Sequence, residues 1–450
     1  MFHRKIIDQI FDIAIPAVME MFLYTFILIF ETMMVGQYGG KIAVSTVGLC
    51  TEILYTISNV FIAGGLSVGI TSLVARKIGA KQYDQAENYA SIGFIVGVII
   101  SIIMAYVLFQ LSPIVLPLVG ASKESSKLGI NYMRISSMGF FFNMITNVLC
   151  SIVRGYGDTK TPLKIAVIIA GVNLSLDWLL IFPLDYYLKL GIMGAAIGSS
   201  VSKIVGFISI AQHFFTKAKI KLKIKYILAV DLHKLRELFE LVIPSSLEEA
   251  AFSVSKLLSV FMIAYLGTTA FAANEITNTI ESVSFMPGLG FSTAATTLVG
   301  IKMGERNYKG ALKYSYACTF LGTSIMIMCS VVFLNGPYFL THYFVMEGER
   351  QVVRYGAMCL MVAAIEQPFM ALAMILEGAL KGMGDTKTPF YISFIACCFI
   401  RLPLIFYFVC ILKASIVYVW WISVLQWCFE GLVIFVLFER RFKQIKERMV

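Results

Sequence analysis

The chain has 450 residues, of which 58% are hydrophobic and only 14% charged, and it carries a formal net charge of +10. Soluble domains are about 45–50% apolar and about 25% charged, so a soluble enzyme is disfavoured and the bilayer is the expected solvent for this much apolar surface. The basic excess is spread over many short segments, which argues against nucleic acid as a partner and for the headgroups of membrane lipids.

Runs of about 20 or more mostly apolar residues predict twelve membrane-spanning helices, roughly at 13–35, 46–74, 87–111, 129–153, 162–183, 191–214, 239–264, 271–300, 312–335, 353–379, 388–411 and 415–438. The first run is too long for a cleaved signal peptide, so the whole chain is expected in the mature protein. With the N-terminus inside, 26 of the 37 Lys and Arg fall in inner segments and 8 in outer ones, while Lys203, Lys256 and Arg401 lie within spans. That asymmetry predicts a multi-pass protein of the cell membrane with both termini cytoplasmic.

The first span carries Pro16, Glu20 and Glu31. Eleven residues separate the two acids, so they share a helix face at two depths, and Pro16 should disturb the inner part of the helix. Between the fourth and fifth spans, residues 154–162 read R-G-Y-G-D-T-K-T-P. This is a structural turn: Gly155 and Gly157 permit it, Asp158 caps the next helix, and Pro162 suits that helix's first turn. The glycine pair is not a nucleotide fingerprint, because no strand precedes it.

In the fifth span Asn173 and Asp177 are one helical turn apart and share a face. Glu31, Asn173, Asp177 and, early in the sixth span, Ser199 all reach the outer half of the bilayer. A carboxylate at the bilayer centre costs about 2.5 to 3.5 kcal/mol, which marks these side chains as functional. Oxygen ligands suit a hard cation such as Na+, and the same carboxylates can carry a proton. They are the expected ion-coupling site.

A basic linker at 217–238 separates the N-terminal six-helix bundle, 1–216, from the C-terminal one, 239–450. In the second half, residues 381–389 read K-G-M-G-D-T-K-T-P, matching the first copy at seven of nine positions. Gly382, Gly384, Asp385 and Pro389 repeat the turn. Pro16 and Glu20 recur as Pro244 and Glu248, and Val74 and Gly79 as Val299 and Gly304. Each half has an even number of spans, so the copies insert alike. The expected fold is all-α and polytopic: two six-helix bundles related by a pseudo-twofold axis along the membrane normal, with a cleft suited to alternating access. The ion site is expected in the N-terminal half alone, because Asp177 has no counterpart near Arg401 and Pro403. Glu249 and Lys256 are seven residues apart and are read as an ion pair.

Nine cysteines, none in a C-x-x-C pair, lie inside apolar runs, so neither a disulfide framework nor a transition-metal site is expected. No histidine lies deep within a span, so an intramembrane enzyme is not expected.

The stretches E-T-M-M-V-G (Glu31–Gly36), N-L-S-L-D (Asn173–Asp177), M-P-G-L-G-F-S-T-A-A-T-T-L-V-G (Met286–Gly300) and the two G-D-T-K-T-P loops together resemble the multidrug and toxic compound extrusion (MATE) family over nearly the whole chain. The resemblance implies a monomeric exporter of small organic, often cationic compounds in exchange for Na+ or H+, with no other cofactor. It points to Glu31, where the family usually has aspartate, and to a hydroxyl near Ser199. Some relatives use acids of the seventh and tenth helices; Glu249 and Glu366 lie near those positions without matching them cleanly, and with Glu20, Lys256 and Glu281 they make the second-choice ion or substrate site. A lipid or lipid-linked oligosaccharide flippase of the same superfold is the alternative.

Overall fold

The computed structural model describes residues 4–118, 123–183, 190–223, 225–226, 231–344 and 349–447. Among these the chain holds no strand and twelve long helices. They are α1 (Arg4–Gly40), α2 (Ile42–Gly79), α3 (Tyr83–Leu118), α4 (Lys123–Gly155), α5 (Lys160–Ile181) and α6 (Met193–Thr216). Then follow α7 (Leu232–Ala264), α8 (Thr268–Gly304), α9 (Tyr308–Asn335), α10 (Arg350–Met383), α11 (Lys387–Ile411) and α12 (Ile416–Glu447). This is a polytopic all-α membrane protein.

Ten of the helices contain a window apolar enough to cross a bilayer; α7 and α8 do not. Glu248, Glu249 and Lys256 interrupt α7, while α8 carries Asn274, Glu275 and Glu281 in its first half and several glycines and threonines and a serine in its second. At 33 and 37 residues both are long enough to span. Their polar groups must then be satisfied within the protein, since the hydrocarbon offers no partner.

Helix interruptions follow local chemistry. Gly40 (φ 60°, ψ −150°) separates α1 from α2, in a conformation cheap only for glycine. By contrast α1 continues through Pro16 with helical dihedrals, although Pro16 lacks the N–H of a helix hydrogen bond. In α11, Pro403 lacks an N–H, and wide π-turns at Ala396–Arg401 and Phe406–Ile411 flank it. A third π-turn, Asn59–Leu66, sits in α2 around Gly64 and Gly65.

The helices form two compact units, Met19–Val242 and Met1–Val18 with Ile243–Val450. These edges differ from a simple cut at the basic linker. Ile10, Ile13 and Ala14 of α1 pack with Phe291, Met326, Ile375 and Phe438. Leu238, Leu241 and Val242 of α7 pack with Ile70, Leu73 and Tyr89. The linker expected at 217–238 is also shorter: α7 begins at Leu232, where the Asp231 carboxylate accepts from the His233 N–H at 3.0 Å. The loop before it is tied to α3, because Lys223 Nζ bridges Asp84 (2.9 Å) and Glu87 (2.5 Å). Those hydrogen bonds, Glu87 first, hold the Lys223 ammonium above its usual pKa.

Each unit repeats the same internal joints. Thr71 Oγ1 of α2 donates to the Ser151 carbonyl of α4 at 3.0 Å, and Thr296 Oγ1 of α8 to the Gly378 carbonyl of α10 at 2.8 Å. A Cβ on Gly155 would stand 2.9 Å from Val74, and one on Gly382 would stand 2.5 Å from the Thr296 carbonyl oxygen. Small residues let these helices approach, which is how helices associate in lipid.

The two nonapeptide turns match atom for atom. Gly157 and Gly384 take φ +89° and +88°. Asp158 Oδ1 accepts from Thr161 N at 3.0 Å and Oδ2 from its hydroxyl at 2.6 Å; Asp385 and Thr388 do the same at 3.0 and 2.9 Å. Replacing Gly157 or Gly384 with alanine forces a side chain into the left-handed region at a cost of about 1–2 kcal/mol. The purified variants should melt lower by scanning fluorimetry, and asparagine at the same positions should lose less.

Candidate functional site

Within the unit Met19–Val242, three helices bring polar side chains to one buried place. Glu31 comes from α1. Asn173 and Asp177 come from successive turns of α5, and Ser199 and Lys203 from successive turns of α6. Glu31, Asn173, Asp177 and Ser199 are all buried, Asp177 at 0% exposure. Asn173 lies against the Asp177 carboxylate, and Asp177, Glu31 and Lys203 are within electrostatic reach of one another. Gly198 makes the approach possible, since a Cβ there would collide with Asp177 Oδ1. The four residues singled out from the sequence as ion ligands therefore share one cluster.

Two further members were not foreseen. Tyr132 of α4, fully buried, donates its hydroxyl to Glu31 Oε1 at 2.9 Å. Lys203 donates to Ser199 Oγ at 2.9 Å. The i, i+4 spacing of Ser199 and Lys203 was visible in the sequence and places them on one face. Two acids and one base leave one carboxyl group without a basic partner of its own, able to attract one monovalent cation or hold one proton.

Glu20 does not belong to this cluster. It is buried against Arg154 at 2.5 Å, α1 to α4. The other unit, Met1–Val18 with Ile243–Val450, repeats the pair: Glu248 of α7 meets Lys381 of α10 at 2.6 Å. Thus the first basic position of each nonapeptide anchors the acid that follows the proline of its half's first helix.

The acids of that second unit fall into two groups. Glu249, Glu377 and Glu248 surround Lys381, with Glu430 beside Glu248 and Glu377. Deeper along α8 and α10, Glu281 accepts from Gln367 Nε2 at 3.2 Å, Ser284 donates to Gln367 Oε1, and Glu366 lies against Glu281. The ion pair expected between Glu249 and Lys256 does not form. Lys256 is exposed, and the basic partner of this region is Lys381, held by Glu248. A seven-residue spacing places two side chains on one face but does not turn them toward each other. The second unit has no acid at the position equivalent to Asp177; nearby, Arg401 donates to Gln426 Oε1 at 3.1 Å. Glu377, Gln426 and Glu430 were not anticipated; each is a single polar residue inside a long apolar run.

Comparison with known proteins matches this architecture. The MatE family model matches twice, at residues 16–179 and 244–407. The "Probable multidrug resistance protein NorM" of Thermotoga maritima is 28% identical, covering 92% of this chain and 88% of that protein. The "Multidrug resistance protein MdtK" of Yersinia pseudotuberculosis is 23% identical over 87% of this chain and 85% of its own. A structure described as the outward-facing conformation of a multidrug resistance MATE family transporter superposes with a TM-score of 0.90 at 22% identity, over 97% of this chain and 96% of that one. A MOP superfamily transporter from Pyrococcus furiosus, described as having a binding pocket of reverse polarity, gives 0.89 at 22%, over 97% and 96%.

Proposed function

Because the chain belongs to the MatE family, a family of multi-pass membrane transporters, we propose that it is a secondary antiporter. It exports small organic, drug-like cations by alternating access in exchange for Na+ or H+, and Glu31, Asn173, Asp177 and Ser199 bind the coupling ion. The observation that carries this reading is the burial of two carboxylates from separate helices, α1 and α5, in one cluster. Burying two acids together is expensive, and such a site gains from a cation or proton that comes and goes. Substrate specificity follows the relatives, two of which are named for multidrug resistance. The protein works as a monomer in the cell membrane with both termini cytoplasmic, its basic segments lying against anionic lipid headgroups.

Ethidium transport into inverted vesicles tests the reading. Vesicles containing the protein should accumulate ethidium when a Na+ or pH gradient is imposed and stop when that gradient is collapsed. Accumulation that is indifferent to both gradients would refute ion coupling.

A further inference from the structure

The cluster contains a positive charge that an ion-binding site of plain oxygen ligands lacks. Lys203 sits one turn after Ser199 on α6, is partly buried, and donates to the Ser199 hydroxyl at 2.9 Å. Its electrostatic partners are the two carboxylates of the site, Glu31 and Asp177. The groups facing it are thus Glu31 from α1, Tyr132 from α4 through its hydrogen bond to Glu31, Asn173 and Asp177 from α5, and Ser199 from its own helix.

We propose that Lys203 is a tethered cation that takes the place of a transported Na+ in the Glu31–Asp177–Ser199 cluster, so that this site does not hold Na+. The inference rests on the ion-coupling role given to the cluster above and narrows it.

Three points support it. A lysine ammonium is a compact point charge with three donors and no acceptor, so it competes for the same oxygens that would coordinate Na+. Ser199 already accepts one of those donors. A Na+ entering beside the ammonium would face like-charge repulsion in a site of low dielectric, where charges interact far more strongly than in water.

The test is Na+ binding by the purified full-length protein, read as thermal stabilisation in sodium chloride against choline chloride of equal strength. A ligand that binds only the folded state raises the melting temperature with concentration. The wild type should shift by less than about 1 °C at saturating salt, and Lys203→Met should rise by roughly 3 °C. Lys203→Arg, which keeps the charge, should behave like the wild type. The gain should vanish in the double variant Lys203→Met with Asp177→Asn, which removes a ligand. Saturable stabilisation of the wild type by Na+ overturns the proposal whatever the variants do, and so does a Lys203→Met protein that folds but gains no Na+ response. Either result leaves antiport itself standing, because ion coupling is judged by the vesicle measurement and not by this one.

Discussion

Asp177→Asn removes ion-driven transport while leaving the protein folded. Asparagine fills nearly the volume of aspartate, so it fits the space that Gly198 leaves open on α6. It brings neither a negative charge nor a proton-accepting oxygen, so Lys203 is left with Glu31 as its sole acidic partner in the cluster. The initial rate of gradient-driven ethidium accumulation should fall to that of protein-free vesicles. The melting temperature should stay within a few degrees of the wild type, since the substitution neutralises a costly buried charge. Glu31→Asp should retain partial transport, because the acid survives with a shorter reach toward Tyr132 and Lys203. Full activity in Asp177→Asn would remove the cluster from the mechanism.

The second large effect concerns the repeated ion pairs. Arg154→Met strands the Glu20 carboxylate, which is 1% exposed, and Lys381→Met strands Glu248. Removing one partner of a buried pair costs about 3–5 kcal/mol, whereas replacing both with well-packed apolar side chains is often neutral or better. Each single variant should therefore show a marked drop in melting temperature. The paired variant Glu20→Met with Arg154→Met should recover most of it, whereas Glu248→Met with Lys381→Met should recover less, because Glu249 and Glu377 lose Lys381 as well. Singles that melt like the wild type would show that water or another partner compensates the stranded acid.

These pairs illustrate what sequence can and cannot convey. The internal repeat displayed all four residues: Glu20 and Glu248 as matched markers after the prolines, Arg154 and Lys381 as the first letters of the nonapeptides. Their pairing depends on how two helices far apart in the chain pack, and no local spacing encodes that. Asp177 and Asn173 were legible because helical periodicity puts them on one face, and span direction supplied the depth they share with Glu31 and Ser199. Lys203 was visible as a lone base in an apolar run, but its role needed the geometry of α1, α5 and α6 together.

Elsewhere, spacing alone misled. The seven-residue register of Glu249 and Lys256 suggested a pair, and tertiary packing gave the basic role to Lys381 instead. The linker is shorter than its charges suggest, because Asp231 caps the start of α7. Pro16 removes a backbone hydrogen bond from α1, and the helix continues through it. The packing at the start of α1 and α7 left no mark in composition.

The central claim is that ion movement through the carboxylate cluster drives substrate export. Its most direct measurement is proton flux elicited by substrate in proteoliposomes holding the purified protein and a pH-sensitive dye, without an imposed gradient. Adding ethidium to one side should acidify the compartment the substrate enters least, in proportion to protein content, and the signal should be absent in Asp177→Asn. Ethidium crossing the wild-type vesicles with no accompanying proton or Na+ flux would contradict the account.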